Sequence, residues 1–143
     1  MTTSELQIIV QNIVKDAVVL KNKRTDQINS PVNYACIFTH SLKEYELLKN
    51  AAGQMGTVLK ETDKGPLFHI TPLTTVAGNL KILKIRTPFA NRPERGDADF
   101  TVHNYENFKK SYLSQPGFSL IAKPGFEMVE LLDPEFDVLV YFS

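Results

Sequence analysis

The chain has 143 residues, a length that fits one ordinary domain and allows a buried core without disulfides or a structural metal. Sixteen basic residues balance sixteen acidic ones, so the composition favours neither a nucleic-acid backbone nor an anionic membrane surface as a partner. Apolar residues make up 43% of the chain, which is typical of a folded domain, and no apolar run approaches the roughly 20 residues of a spanning helix.

The single cysteine and the start of the chain bear on where the protein resides. Cys36 lies in the apolar run YACIF, which predicts a buried, unreactive thiol rather than a nucleophile. One cysteine cannot form an internal disulfide, and MTTSELQ lacks the basic and then apolar segments of a signal peptide. We therefore expect a cytoplasmic protein.

The first segment of the chain predicts a helix followed by a connector. Ser4 and Gln7 have the spacing of a capping box, and apolar residues then recur at helical intervals as far as Ala17. The run at 17–20, AVVL, fits either a continuation of the helix or a strand. The polar, breaker-rich stretch KNKRTDQINSP follows, so we assign residues 1–31 to a helix and its connector.

From residue 32 the pattern predicts the order β-α-β-β-β. Residues 32–39 are rich in β-branched and aromatic side chains, as a strand requires. Ser41 and Glu44 form a capping box before a helix with one apolar face. Three strands follow, at 57–62, 66–71 and 80–86. Residues 32–86 are thus the first predicted module.

The same order returns after a linker. Residues 87–96, TPFANRPERG, carry two prolines and show no periodicity. A second module at 97–143 then follows, with strands at 97–102, 118–122, 126–132 and 137–142 and a helix after Asn104. When the modules are superimposed, Tyr34 falls on Asp97. The sequence therefore predicts an α+β domain of two tandem βαβββ modules preceded by an N-terminal helix.

The end of the second module carries a family resemblance. Residues 131–140, LLDPEFDVLV, resemble the DPxGN turn and closing strand of the glyoxalase, bleomycin-resistance and extradiol-dioxygenase group, the vicinal oxygen chelate superfamily, although Phe136 replaces the usual glycine. The resemblance extends from about residue 32 to residue 143 and implies a cupped mixed sheet with helices outside. It also implies a homodimer, an expectation that the apolar stripe of the N-terminal helix supports.

The resemblance also implies where a metal would bind in this group. Metal-dependent members take His and Glu ligands from the start of each module's first strand and from each last strand, which here are Tyr34, Ile82, Asp97 and Val140. Only Asp97 offers a charged oxygen, whereas a catalytic divalent site usually needs about three protein ligands. We expect no metal, no other cofactor, and neither glyoxalase I nor extradiol dioxygenase chemistry. A slip of one residue in a strand would exchange its faces and weaken this argument.

Strand alternation predicts which side chains face the cup. If Asp97 faces it, Asp99 and Thr101 do so as well. By the same logic the other cup-facing residues are Tyr34, Cys36, Phe38, Leu80, Ile82, Lys84, Arg86, Val138, Val140 and Phe142. Apolar walls with a few polar groups are typical of small-molecule sites.

The polar residues of the cup and linker are the predicted ligand-binding set. They are Tyr34, Lys84, Arg86, Arg95, Asp97 and Asp99. Arg95, together with Arg92, could clamp a carboxylate or phosphate, or could form weak ion pairs in a solvated loop. The two aspartates and the two basic residues could instead pair with each other in a buried network that holds the halves together.

The carboxylates of the second module are the candidates for catalysis: Asp97, Asp99 and Glu130. Glu127 and Glu130 have an odd spacing, so one should point into the cup and one away. Glu130 with Tyr34 or Asp99 would be an acid/base pair. His69 could be a general base or an inert strand residue, and the matched positions of the other two histidines indicate a structural role.

Three functions are consistent with these observations. The first is a metal-free, glyoxalase-like domain that binds a small anionic or aromatic molecule in the cup. The second is a metal-independent isomerase or lyase that uses the cup carboxylates. The third is a structural or interaction domain whose cup is filled by side chains. Arginines converging on an open pocket would favour the first, a carboxylate of strongly raised pKa the second, and a closed pocket the third.

Overall fold

In this computed structural model, which describes residues 1–89 and 91–143, the chain forms three helices and eight strands. In chain order the elements are α1 (Thr3–Arg24), β1 (Val32–Phe38), α2 (Leu42–Met55), β2 (Gly56–Thr62), β3 (Gly65–Thr75), β4 (Gly78–Arg86), β5 (Gly96–Phe100), α3 (Tyr105–Tyr112), β6 (Phe118–Lys123), β7 (Phe126–Leu131) and β8 (Val138–Phe142). The predicted linker includes Ala90, which lies outside the described residues.

The order βαβββ occurs twice after α1, and its strands join in one mixed open sheet. The strand order is β2-β3-β4-β1-β5-β8-β7-β6. Each module pairs its first and last strands in parallel, and the antiparallel pair β1–β5 joins the modules. Ala35 pairs with Ala98 in this junction, and Tyr34 pairs with Asp99. The predicted α+β class and arrangement of elements are confirmed.

Helix α1 is longer than its predicted core and begins at a different cap. The capping box is formed by Thr2 and Glu5, whose backbone and side-chain atoms exchange two hydrogen bonds of 3.1 Å, and not by Ser4 and Gln7. The helix continues to Arg24, so the run at 17–20 is helical. No helix in the described ranges has the length and apolar character needed to cross a membrane.

The apolar face of α1 is buried in the chain's own core. Its fully or nearly fully buried apolar residues are Leu6, Val10, Ile13, Val14, Ala17 and Leu20. They pack in one cluster with side chains from α2, α3 and the covered face of the sheet. Each large buried aliphatic side chain contributes roughly 1.5–3 kcal/mol. The stripe on α1 therefore needs no second chain, and the homodimer stays a prediction without that support.

Alternation along the central strands places the predicted polar residues on the opposite face of the sheet. In β5, Ala98 and Phe100 belong to the core, whereas Asp97 and Asp99 face away from it. Lys84, on β4, faces away from the core as well.

The prediction for β8 is wrong by one residue. Val138, Val140 and Phe142 face the helices, while Leu139 and Tyr141 face the other side. All five residues of VLVYF are apolar or aromatic, so no polar side chain marked the solvent face. The register decides it, because β8 pairs in parallel with β5. Leu80 is also buried in the core rather than the cup, at the start of β4, where the pairing with β3 is irregular.

Candidate functional site

The sheet face opposite the helices holds a cavity of about 300 Å³, which we call the cup. Side chains from both modules and from the linker line it. They are Tyr34, Lys64, Lys84, Arg86, Arg92, Asp97, Asp99, Ile121, Lys123, Phe126, Met128, Glu130 and Tyr141. Five predicted site residues, among them Lys84 and Arg86, thus meet in one place, and a sixth, the catalytic candidate Glu130, joins them.

A small apolar cluster lies beneath the cup. Cys36, Phe38 and Leu139 are almost completely buried there, and the rings of Tyr34 and Tyr141 pack against them. Burial raises the pKa of the Cys36 thiol, and the nearby Asp97 adds to this. The cysteine is therefore an unreactive packing residue, as its sequence context predicted.

The close approach of β5 to β1 depends on Gly96. A Cβ at this position would overlap the backbone carbonyl oxygen of Cys36. The absence of a side chain lets β5 pair with β1 from its first residue, which brings Asp97 opposite Cys36. The glycine that ends the linker therefore helps to position the central carboxylate of the cup.

Asp97 is buried without a hydrogen-bonding partner for one of its oxygens. The residue is 5% exposed, and its Oδ1 has no partner among the described residues. Burial raises the pKa of Asp97 to about 8, and the neighbouring Asp99 adds to the shift, while Arg86 and Lys84 oppose it. Near neutral pH the carboxyl group therefore holds its proton to a large extent and can donate a hydrogen bond.

Asp99 lies two residues further along the same strand and faces the same side. Its Oδ2 accepts a hydrogen bond from Ser143 Oγ at 3.1 Å, and its Oδ1 is buried without a partner in the part of the chain that the structure describes. Burial raises the pKa of Asp99 to about 6. The two carboxyl groups therefore differ in protonation near pH 7, where Asp99 is mainly ionised.

The basic residues of the cup are mostly unpaired. Four of them take part in no ion pair within residues 1–89 and 91–143: Lys64, Lys84, Arg86 and Lys123. The predicted alternative, a network that pairs the aspartates with the basic residues of β4, is therefore wrong. The basic side chains line the same cavity as the aspartates but do not come into contact with them.

The fifth basic residue, Arg92, forms long ion pairs with two glutamates. Its guanidinium group is 3.9 Å from Glu130 Oε2 and 3.7 Å from Glu94 Oε1, distances too long for hydrogen bonds. Glu130 accepts a hydrogen bond from Tyr141 Oη at 2.8 Å. The predicted pairing of Glu130 with Tyr34 or Asp99 is thus replaced by one with Tyr141.

The predicted split between the two glutamates of β7 is confirmed. Glu130 lines the cup, whereas Glu127 lies on the helix side. There Glu127 Oε2 accepts hydrogen bonds from Tyr105 Oη at 2.8 Å and from Lys109 Nζ at 3.0 Å. Glu127 therefore ties α3 to the sheet and has no place in the cup.

Arg95 lies outside the cup, contrary to its prediction. Its Nη1 is 3.2 Å from Glu44 Oε1 of α2, and it also donates to the carbonyl oxygen of Phe38 at 3.4 Å. Backbone hydrogen bonds with Phe38 and Asp137 hold Arg95 in place in the bend directly before β5. Its side chain consequently reaches the start of α2, and only Arg92 of the two linker arginines lines the cavity.

Two lysines that line the cup, both of them at hairpin turns, were not identified from the sequence. Lys64 lies in the turn between β2 and β3, and Lys123 ends β6 at the turn into β7. Each turn was recognised as a turn, and the two occupy the same place in the two modules. This correspondence could have identified the two lysines, because equivalent hairpins of a cupped sheet can approach each other across the cup.

The residues of the cup do not fit a divalent metal. Of the four carried-over positions, Tyr34 and Asp97 line the cavity, Ile82 does not, and Val140 lies in the core. No group of three or more His, Cys, Asp or Glu residues in the described chain is arranged to hold a metal ion. Unpaired basic side chains also surround the aspartates, which disfavours a cation there.

The histidines lie elsewhere. His40, His69 and His103 are exposed and none lines the cup. The Nε2 atom of His40 is 3.0 Å from the carbonyl oxygen of Glu94, which fits the structural role predicted for it. His69 lines a different surface pocket and is therefore no base for chemistry in the cup.

Comparison with known proteins shows the fold. No protein-family model matches the sequence, and a search of curated proteins found no match. The chain is similar to a solved structure described as "Structural Genomics, Protein EC4020", with a TM-score of 0.72 and 16% identity over 96% of this chain and 86% of that one. A glyoxalase/bleomycin resistance protein/dioxygenase superfamily member from Vibrio splendidus 12B01 has a TM-score of 0.49 and 10% identity over 79% of this chain and 97% of that one.

The first similarity extends the shared fold beyond the two modules. Because it covers 96% of this chain, it takes in most of α1. The resemblance predicted from the sequence began only at residue 32. The N-terminal helix therefore belongs to the common fold, in agreement with its buried apolar face.

Proposed function

We propose that this chain is a glyoxalase-like domain whose cup binds a small organic anion without a metal. The observation that carries the proposal is the set of four basic side chains that line the cup without an ion-pair partner in the described chain: Lys64, Lys84, Arg86 and Lys123. Like charges held close together repel each other, and a bound anion would relieve the repulsion. The tandem βαβββ arrangement supports the glyoxalase-like assignment.

The other wall of the cup suits an apolar or aromatic body. Ile121, Phe126 and Met128 come from the β6–β7 hairpin, and the tyrosine rings lie on the floor. A volume of about 300 Å³ is within the range of small-molecule pockets. An acid with an apolar body would therefore match both sides of the cavity.

Asp97 gives the cup a hydrogen-bond donor. Its protonated carboxyl group would donate to a carbonyl or hydroxyl oxygen of the ligand, and this bond would satisfy a group that is buried without a partner. We therefore expect the ligand to carry an oxygen acceptor near its acid group.

Ligand-dependent thermal melts test this proposal. Phenylacetate and inorganic phosphate, each at constant ionic strength against a sodium chloride control, should raise the Tm of the protein in proportion to occupancy. Arg86→Met should abolish the rise, because it removes a basic group from the cup. Lys81→Met is the matched control, since Lys81 is an exposed residue of the same strand that does not line the cavity.

Two results of the melts would contradict the proposal. Equal shifts in wild type, R86M and K81M would mean that the anions act through general salt effects. No shift with either anion would favour a cup without a ligand. In both cases the structural or interaction domain becomes the better reading of the fold.

A second candidate function is a metal-independent isomerase or lyase. The observation that favours it is the pair Asp97 and Asp99, whose pKa values of about 8 and about 6 would keep one acid protonated and one ionised at pH 7. Such a pair can supply a general acid and a general base to the same substrate.

Proton exchange tests this second function directly. The protein would be incubated with phenylpyruvate in D₂O, and the loss of the carbon-bound proton signal followed by NMR. An enzyme of this class should accelerate the exchange, and Asp99→Asn should remove the acceleration because it deletes the base. Exchange at the uncatalysed rate in wild type would exclude this activity for 2-oxo acids.

A further inference from the structure

Two lysines from opposite ends of the sheet meet at the mouth of the cup. Strands β2 and β6 are the two outermost strands of the eight-stranded sheet, yet Lys64 and Lys123, at the tips of their hairpins, line the same cavity. The sheet must therefore curve so that the two hairpin tips approach each other. Both lysines are exposed, as residues at a mouth would be.

The charges of these two lysines act on each other. The pKa of Lys64 is lowered, and the largest cause is the charge of Lys123; burial follows, and Arg86 and Lys84 contribute less. Neither lysine has an ion pair within the described chain to offset the repulsion. The mouth of the cup is thus a pair of like charges from two independent hairpins.

A second basic pair lies deeper, on the floor. Lys84 and Arg86 alternate on β4 and pair in register with Cys36 and Phe38 of the adjacent strand. The guanidinium carbon of Arg86 lies 5.2 Å from the ring centre of Phe38 and 5.3 Å from that of Phe89. These rings orient the guanidinium group without neutralising it, so it is available to an anion.

The balance of charge in the cup favours a ligand with two negative charges. Five basic and three acidic side chains line the cavity, so positive charge exceeds negative even if every acid is ionised. The excess grows because burial keeps a proton on Asp97. A ligand with one negative charge would leave one of the two basic pairs without a counter-charge.

We propose that the ligand is a small dianion, in which one acid group binds Lys84 and Arg86 on the floor and the second bridges Lys64 and Lys123 at the mouth. The inference rests on the proposed function and names its ligand class. Dicarboxylates and phosphorylated acids share this chemistry. Arginine and lysine bind both groups through charge-assisted hydrogen bonds.

A matched ligand series tests the inference by titration calorimetry. Phenylacetate carries one acid group, whereas phenylsuccinate and phosphoglycolate each carry two. At constant ionic strength, wild type should bind at least one of these two-acid ligands about tenfold more tightly than phenylacetate, because a second pair of charge-assisted contacts forms. For each two-acid ligand taken separately, the loss of affinity on removing the mouth lysines shows whether its second carboxylate or its phosphate binds there.

The double variant Lys64→Met/Lys123→Met should lose most of this preference and keep its affinity for phenylacetate. Lys60→Met/Lys110→Met is the control, because it removes two exposed lysines that do not line the cup. The Tm of each variant without ligand verifies that the fold is intact. Because Lys60 and Lys110 lie away from the cavity, the control should behave as wild type.

The outcomes separate this inference from the proposed function. If dianions and phenylacetate bind equally and R86M abolishes both, the cup binds anions but the two-acid ligand is wrong. If the double variant loses phenylacetate as well, the mouth lysines belong to a single subsite, and the inference fails too. If no anion binds to wild type, the proposed function and the inference both fall.

Discussion

The two faces of the sheet differ in whether their buried ionisable groups have hydrogen-bonding partners. On the helix side, Lys21 is completely buried, but its Nζ donates to Asn22 Oδ1 at 2.7 Å and to the backbone carbonyl oxygens of Gln27 and Ile28. On the cup side, Asp97 is buried to almost the same degree and has an oxygen without a partner. Buried polar groups normally find partners, since leaving one unsatisfied costs roughly 1–3 kcal/mol.

The contrast separates a part of the fold that provides stability from a part that is available for binding or a reaction. The lysine of the helix side holds the connector after α1, and its hydrogen bonds are complete. The aspartate of the cup costs stability, which is the usual mark of a site prepared for a ligand or a reaction. Variants on the two faces should therefore have opposite effects on the unfolding free energy.

The largest effect is expected on the covered face of β5. Phe100 is fully buried in the core, and Phe100→Ala should lower the free energy of unfolding by about 3–5 kcal/mol, because it removes buried apolar surface and leaves a cavity. Urea denaturation followed by circular dichroism measures this loss. A loss well below 1 kcal/mol would contradict the packing of this face.

Asp97, on the cup face of the same strand, should show the opposite sign. The pKa of Asp97 is raised to about 8 in the folded chain, while an aspartate in an unfolded chain has a pKa of about 4. The folded state therefore binds a proton more tightly, and the stability that this proton contributes is complete below about pH 4 and is lost as the pH rises to about 8.

Asp97→Asn should remove this dependence. Wild type should lose on the order of a few kcal/mol of unfolding free energy between pH 4 and pH 8, whereas the variant should lose much less over the same range. Asp99→Asn is the internal comparison, since its pKa of about 6 confines its contribution to the lower part of that range. Identical pH profiles for wild type and Asp97→Asn would show that the carboxyl group is ionised and stabilised in the fold.

The smallest effect is expected in the linker. Arg95 forms a partly exposed ion pair with Glu44, so Arg95→Ala should lower the unfolding free energy by no more than about 1 kcal/mol. Anion-dependent melting should be unchanged, because Arg95 lies outside the cup. A loss of anion binding in Arg95→Ala, with Arg86→Met unaffected, would reverse the roles that the geometry assigns to the two arginines.

Most of the secondary structure could be predicted from local patterns in the sequence. Capping residues, apolar spacing and turns located every helix and strand of the two modules to within a few residues, because such signals act between neighbours in the sequence. The cup-facing positions of Tyr34, Lys84, Arg86, Asp97 and Asp99 followed from alternation in strands where polar and apolar residues mark different faces. In β8, where every residue is apolar or aromatic, the same rule had nothing to distinguish the faces and failed.

Local patterns in the sequence therefore established the order of the elements and part of the chemistry in the cup. Three further points depend on the folded structure: Lys64 and Lys123 line the same cavity, Arg95 turns to α2, and the stripe of α1 is covered within the chain. These facts depend on sheet curvature and on the register between strands far apart in sequence. Such long-range geometry arises from packing of the whole domain, and no local pattern records it.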